Sequence, residues 1–142
     1  MEVNKMDQWV LYGRSGNPSS DIAKAWLTNN GIPFESNSIY DLTKEEIAKL
    51  ADLIPGGARK LVYPNVFSFS MINPQRQTER AYIDKIHSND LSEEEVREIL
   101  ADMPSLVITP LITNYKTILV GYDLDTLVNT LRFVKVKDVT MA

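Results

Sequence analysis

WVLYGRSGNPSSDIAKAWL, Trp9 to Leu27, is the stretch whose reading decides the fold. Its first residues are apolar or aromatic and read as a short buried strand, Trp9 to Tyr12. Gly13 to Asn17 makes a tight loop. From Pro18 onward Ile22, Ala23, Trp26 and Leu27 fall at helical spacing and define one apolar face of an amphipathic helix. Asn17 or Ser19 can cap that helix by accepting a hydrogen bond from its first turn. Pro18 suits the same turn, where the N–H it lacks would have no partner. A strand that runs directly into a helix aims unpaired backbone donors at the loop between them, which makes the loop a natural binding site.

Beyond this helix Asn30-Gly31 supplies a left-handed exit and Pro33 blocks continuation, so Phe34 to Tyr40 is expected to run extended as a second strand. The strand-helix-strand unit then places its two strands side by side and parallel through a right-handed crossover. Thr43 and Glu46 form a capping box, and Leu42 and Ile47 stand at the spacing of a hydrophobic staple. They predict a helix from Lys44 to about Ile54, stopped by Pro55-Gly56-Gly57.

From Ala58 to Asp102 the chain leaves the sheet, and Pro64 and Pro74 break its first part into short pieces. Helical spacing returns at Thr78 to Ile86, with Ala81, Tyr82 and Ile86 expected inward. Ser92 to Glu95 repeats the capping box, with Leu91 and Val96 as its staple. It opens a helix to about Asp102 that turns Val96, Ile99 and Leu100 inward. Leu106 to Ile112 and Lys116 to Val120 are rich in branched apolar residues and read as an antiparallel hairpin around Thr113-Asn114-Tyr115. Asp123 to Thr126 can cap a closing helix with Leu124, Leu127, Val128 and Leu131 on one face. Val134-Lys135-Val136-Lys137 alternates as a strand does.

The 142 residues, 44% hydrophobic and 24% charged, have ordinary globular composition and suit one domain with one sizeable core. A net charge of −4 argues against a protein that neutralises nucleic-acid phosphates by itself, so any DNA contact is expected only through a complex with a partner. There is no cysteine, which excludes a disulfide, thiol exchange and a thiolate nucleophile. MEVNKMDQ at the start has no apolar signal core, and no apolar run is long enough to cross a bilayer. A cytoplasmic location without membrane contact is therefore the expectation.

Leu11-Tyr12, Ser20, Ala23, Ala25-Trp26-Leu27 and the following Asn30-Gly31-Ile32-Pro33-Phe34 resemble the opening of the ArsC/Spx family of thioredoxin-fold proteins. The resemblance continues through Gly56-Gly57, Leu106 to Thr113 with its Thr109-Pro110 step, and Gly121-Tyr122-Asp123. It runs from Trp9 to roughly Phe133. It implies an α/β, thioredoxin-like (ArsC/Spx-like) four-stranded mixed sheet with an inserted helical subdomain. The core would take about 8–40 and 105–133, the helical insertion about 41–104 and the tail 134–142. In that family a cysteine or a CxxC pair occupies the first loop, and those positions fall at Asn17 and Ser20. Both thiols are absent.

The arsenate reductase branch also needs arginines around its oxyanion. Here Ile108-Thr109 precede Pro110 where the family has an arginine, and the arginine region of the insertion reads Tyr63-Pro64-Asn65, with Arg59 nearby. An alcohol is far less acidic than a thiol, and no base is evident beside Ser20 in the sequence. The resemblance thus implies a non-catalytic, redox-silent regulatory protein of the Spx kind that acts by protein–protein binding. The implied partner is the C-terminal domain of the RNA polymerase α subunit. Gly56-Gly57 and the adjacent surface of the first helix would grip it, with Gly57 aligning best to the family glycine. Arg59 and Lys60 would complement an acidic patch on it. The alternatives are a degenerate arsenate-reductase-fold adaptor or inhibitor of another protein, and an enzyme with a non-thiol mechanism.

The candidate partner-binding residues are Arg14, Asn17, Ser20, Gly56, Gly57, Arg59, Lys60, Thr109 and Pro110, and each has a plainer reading. Gly13 to Asn17 can hold an anion on backbone N–H groups beside Arg14, or can merely make the turn and the cap. Thr109-Pro110 stands where thioredoxin folds carry a cis proline facing the first loop, and serves as scaffold and edge. The two glycines let backbones approach closely or simply stop a helix. His87, the single histidine, reads as a helix-end residue rather than a base or metal ligand, and neither cofactor nor metal is expected. Trp9 and Trp26 read as core residues. Glu93 to Glu95 suit the positive end of their helix dipole.

Overall fold

The computed structural model describes residues 8–74, 76–88 and 90–131. They form two units: one runs to Asn37 and resumes at Thr109, and the other is Ser38–Ile108. The first holds β1 (Trp9–Gly13), α1 (Pro18–Asn29), β2 (Phe34–Ser38), β3 (Leu111–Thr113), β4 (Ile118–Val120) and α6 (residues 124–131). These strands make a mixed sheet in the order β2-β1-β3-β4. β1 lies antiparallel to β3 with Leu11 opposite Ile112, and β3 antiparallel to β4 with Ile112 opposite Leu119. Directly opposite residues share a face, so Leu11, Ile112 and Leu119 form one apolar row. Ala23 and Leu27 of α1 and Leu127 and Leu131 of α6 close over it in a single core cluster.

Several local expectations shift. Asn17 rather than Ser19 caps α1. Ala23 and Leu27 face the sheet and Trp26 packs partly against the core, whereas Ile22, expected inward, is 49% exposed. One residue is about 100° of helix rotation, which carries Ile22 off the narrow arc that Ala23 and Leu27 define. β2 stops at Ser38 instead of Tyr40, because Ser38 and Asp41 close a capping box that bends the chain into a turn of 3-10 helix, Ile39–Asp41. Leu106 to Ile112 is not one strand. Pro104–Leu106 is 3-10 helix, Val107 makes an isolated bridge to Val62, and β3 begins only after Pro110, which has no N–H to donate to a ladder. The hairpin turn falls one residue later than expected, at Asn114–Thr117, where the Asn114 side chain accepts from the Lys116 and Thr117 amides. In α6, Leu127 and Leu131 are buried but Leu124 and Val128 face solvent. Val134 to Lys137 lies outside the described residues.

The second unit is helical: α2 (Lys44–Asp52), a 3-10 turn (Gly57–Leu61), α3 (Val66–Ile72), α4 (Gln77–His87) and α5 (Glu93–Asp102). Both capping boxes close. The Thr43 and Ser92 hydroxyls each accept the amide at 3.1 Å, and Glu46 and Glu95 reach back to the cap amides at 2.9 and 2.8 Å. Leu42 and Ile47 are both buried, as a staple requires. In α4 the inward pair is Ile83 and Ile86, not Ala81 and Tyr82. Tyr82 keeps its ring at the surface under the Lys85 ammonium, 5.9 Å from the ring centre. His87 ends α4 at the surface, with Nε2 2.8 Å from the Tyr63 carbonyl.

Candidate functional site

The loop between β1 and α1 is built on a close approach. A Cβ on Gly13 would stand 3.1 Å from Leu11 Cδ2 and 3.2 Å from Ser20 Oγ, so the first turn of α1 settles against the strand end only because Gly13 has none. The Asn17 amide donates to the Arg14 carbonyl at 3.0 Å, closing the loop before the helix begins. Asn17 Oδ1 then accepts from the Ser20 amide (2.9 Å), the Ser20 hydroxyl (2.6 Å) and the Thr109 hydroxyl (3.4 Å). Asn17 is 3% exposed and Ser20 not at all. Thr109-Pro110 is cis, as the resemblance implies, and both residues are buried. Asn17, Ser20 and Thr109 are therefore brought together as one interior cluster that shapes the loop from inside. Arg14 is partly exposed and donates its amide to Ser20 Oγ at 3.4 Å.

This arrangement constrains the chemistry. The Ser20 proton is committed to the Asn17 amide oxygen, and among the described residues no histidine or carboxylate hydrogen-bonds to its hydroxyl in the way a base activating an alcohol would. Among the described residues no group of three or more His, Cys, Asp or Glu side chains is placed to hold a metal ion. Nor is any helix among them long and apolar enough to cross a membrane.

The remaining candidates belong to the other unit, at the bend after α2. Gly56 and Gly57 have φ of +98° and +75°, in the left-handed region that favours glycine. Above Gly57 sits a group that sequence reasoning read only as helix-dipole charge. The Glu93 carboxylate accepts the Ala58 amide at 2.9 Å, and a Cβ on Gly57 would lie 2.4 Å from Glu93 Oε1. Glu93 also pairs with Arg97 at 2.8 Å, and Arg97 with Asp52 at 2.8 Å. Hydrogen bonds to Glu93 and then Asp52 hold the Arg97 guanidinium even more firmly protonated than usual. The signal available in the sequence was the four-residue spacing of Glu93 and Arg97. Arg59, expected to offer charge outward, turns Nε to the Ile86 carbonyl at 2.8 Å and Nη2 to that of Leu91. Lys60 remains exposed and makes no ion pair with a described residue, its stem lying over Gly56.

Fold and loop together define a thioredoxin-like protein in which an asparagine cap occupies the strand-to-helix loop. Global transcriptional regulator Spx of Lactiplantibacillus plantarum is 26% identical over 118 residues, 82% of this chain and 80% of that protein. Spx of Staphylococcus aureus strain Mu50 is 28% identical over 105 residues, 72% of this chain and 71% of that one. The solved arsenate reductase from Vibrio cholerae superposes with a TM-score of 0.66 at 15% identity, covering 86% of this chain and 96% of its own. No family model matches the chain. The chain has the thioredoxin-like fold of these proteins and is similar in sequence to the Spx regulators, and it contains no cysteine.

Proposed function

We propose that this protein is a non-catalytic, redox-silent regulator that acts in the cytoplasm by binding another protein, the C-terminal domain of the RNA polymerase α subunit. The observation that carries the reading is the cysteine-free loop, in which the position of the first family cysteine is an asparagine and the second a buried serine bonded to it. Without a thiolate the family's reductive chemistry has no nucleophile, and what the scaffold keeps is a shaped surface. The similarity to proteins named as global transcriptional regulators supports a transcription-related partner. Because Asn17, Ser20 and Thr109 face inward, the loop would offer a partner its backbone contour and Arg14. The bend would offer the Gly56 backbone and the Lys60 ammonium. A net charge of −4 makes DNA contact a property of the complex rather than of this chain.

Titration calorimetry with the α C-terminal domain of the native host tests this directly. A one-to-one complex is expected at tens of micromolar or tighter, about −6 kcal/mol or better. Lys60→Glu should weaken it by about three- to tenfold, mostly through the association rate. Absence of a complex well above that range overturns the polymerase assignment. Affinity capture that recovers a different protein would favour the adaptor reading.

A further inference from the structure

Neither glycine of the bend lies bare. The Lys60 stem covers Gly56, where a Cβ would stand 3.0 Å from its Cγ and Cε, and the Glu93 carboxylate covers Gly57 more closely still. Glu93 belongs to the first turn of α5, and its Oε2 takes two donors, the Ala58 amide at 2.9 Å and Arg97 Nε at 2.8 Å. A carboxylate held between an amide and a guanidinium, in the gap left by a missing Cβ, is seated as the acid group of a bound ligand would be. Here it is the chain's own side chain. Three features let it leave. The Glu93 side chain is 37% exposed, which gives it a path to water. Arg97 keeps an ion partner without it, because Asp52 pairs with Nη2 at 2.8 Å. Turned outward, Glu93 still stands at the positive end of the α5 dipole. Only the Ala58 amide is stranded, and Ala58 is fully buried. A buried N–H without an acceptor is costly, so a group that displaces Glu93 must bring an oxygen, and Arg97 beside it selects a charged one.

We propose that the hollow over Gly57 is a carboxylate-binding site, filled by Glu93 in the free chain and by an acidic side chain of the partner in the complex. Its second half rests on the partner reading above and deepens it: the bend meets the partner by exchanging one carboxylate for another, and Glu93 holds the unbound state closed. Glycine at position 57 then does more than stop a helix, because a methyl group there would exclude either carboxylate. The exchange also discriminates among partners. An apolar group in the hollow would leave the Ala58 amide without an acceptor, and a basic one would in addition face the Arg97 guanidinium.

The test uses the full chain as wild type, as Glu93→Ala and as Glu93→Ala with Gly57→Ala, with sodium acetate as the probe and sodium chloride as the ionic-strength control. In Glu93→Ala the NMR signal of the Ala58 amide should move saturably with acetate beyond any shift that chloride gives, with half-saturation on the order of tens of millimolar. It should stay in place in the wild type, where Glu93 holds the site, and in the double variant, where the new methyl group fills it. Calorimetry with the α C-terminal domain reads the exchange. Glu93→Ala should bind about tenfold more tightly than the wild type, since no internal competitor has to be displaced, and the double variant should lose that gain. Glu93→Gln keeps an acceptor for Ala58 and drops the charge, and should gain only about threefold. The carboxylate site is overturned if acetate leaves the Ala58 signal of Glu93→Ala unmoved, or moves it equally in the double variant. Exchange is overturned if Glu93→Ala and Glu93→Gln bind the domain no more tightly than the wild type. Absence of binding by every form overturns the polymerase reading instead, and the acetate titration then decides the site alone.

Discussion

Replacing Gly57 by alanine inserts a methyl group where the Glu93 carboxylate lies, and the geometry sets the size of the effect. The new Cβ would stand 2.4 Å from Oε1, 2.8 Å from Cδ and 2.9 Å from Oε2. The obstacle is the far end of a flexible side chain, so the carboxylate swings away rather than the backbone. In leaving, it gives up the Ala58 amide, whose residue is fully buried. A charge-assisted hydrogen bond of this kind contributes about 1.5–3 kcal/mol, and the lower half applies because the Glu93 side chain is 37% exposed. Holding alanine at a φ of +75° adds about 1 kcal/mol. Gly57→Ala should therefore destabilise by about 3 kcal/mol in urea titrations followed by far-ultraviolet circular dichroism, a large share of a typical total. Glu93→Ala should cost about 2 kcal/mol by losing the same bond. In the double variant the clash no longer exists, so it should fall only about 1 kcal/mol below Glu93→Ala, a coupling of about 2 kcal/mol. A cost under about 1 kcal/mol for Gly57→Ala, or strict additivity in the double variant, would refute the assignment of Glu93 as the reason for glycine here.

Three further outcomes follow from the same structure. Asn17→Ala removes the α1 cap and strands the Ser20 and Thr109 hydroxyls, and should cost about 2–3 kcal/mol in the same titration; a change below about 0.5 kcal/mol would mean the cluster contributes nothing. Ser20→Cys places a thiol in a site without solvent exposure, so its reaction with Ellman's reagent should be about a hundredfold slower in the folded than in the urea-unfolded chain, and a rate near the unfolded one would contradict the burial. Glu95 titrates below the ordinary glutamate range because the Ser92 amide and then its hydroxyl favour the carboxylate. That contribution to stability is complete above the unfolded-chain value and is lost as pH falls through the lowered one. Side-chain NMR titration should show the low midpoint in the native protein and only a partial rise in Ser92→Ala, which removes the hydroxyl and keeps the amide.

Elements whose determinants are local were readable from the chain. Thr43 with Glu46, and Ser92 with Glu95, act within four residues, and both helix starts fall where those boxes place them. Trp9 to Leu27 was equally clear, because the strand, loop and cap chemistry are contiguous. What escaped depends on partners far along the chain. Whether Ile22 or Trp26 turns inward is decided by how wide a strip the sheet covers. The ladder over Leu106 to Ile112 is interrupted because Val107 bridges Val62 rather than a sheet neighbour. Glu93 meets Gly57 across thirty-odd residues of sequence, and nothing in the composition of Glu93-Glu94-Glu95 singles out the first. The convergence of Thr109 on Asn17 was foreseen only through the family resemblance, since no spacing rule links residues 92 apart.

A thiolate and an amide oxygen make the same demand of a strand-to-helix loop, namely N–H and O–H donors at the positive end of a helix. In this chain those donors converge on Asn17 Oδ1, so features that would lower a cysteine pKa instead lock the start of α1. The loop serves as a helix cap, and a partner meeting it would read its outline and not its chemistry. The bend follows the same logic: Gly57 is glycine because Glu93 occupies the space above it, and Arg59 is committed to two carbonyls. A Gly57 substitution therefore disturbs the bend before any partner arrives, and lost binding in that variant would not separate contact from collapse. Lys60, exposed and outside any ion pair with a described residue, is the position where a charge reversal reports on binding alone. If Lys60→Glu leaves both stability and partner affinity unchanged, the bend is architecture, and the surface that holds the partner lies elsewhere on the chain.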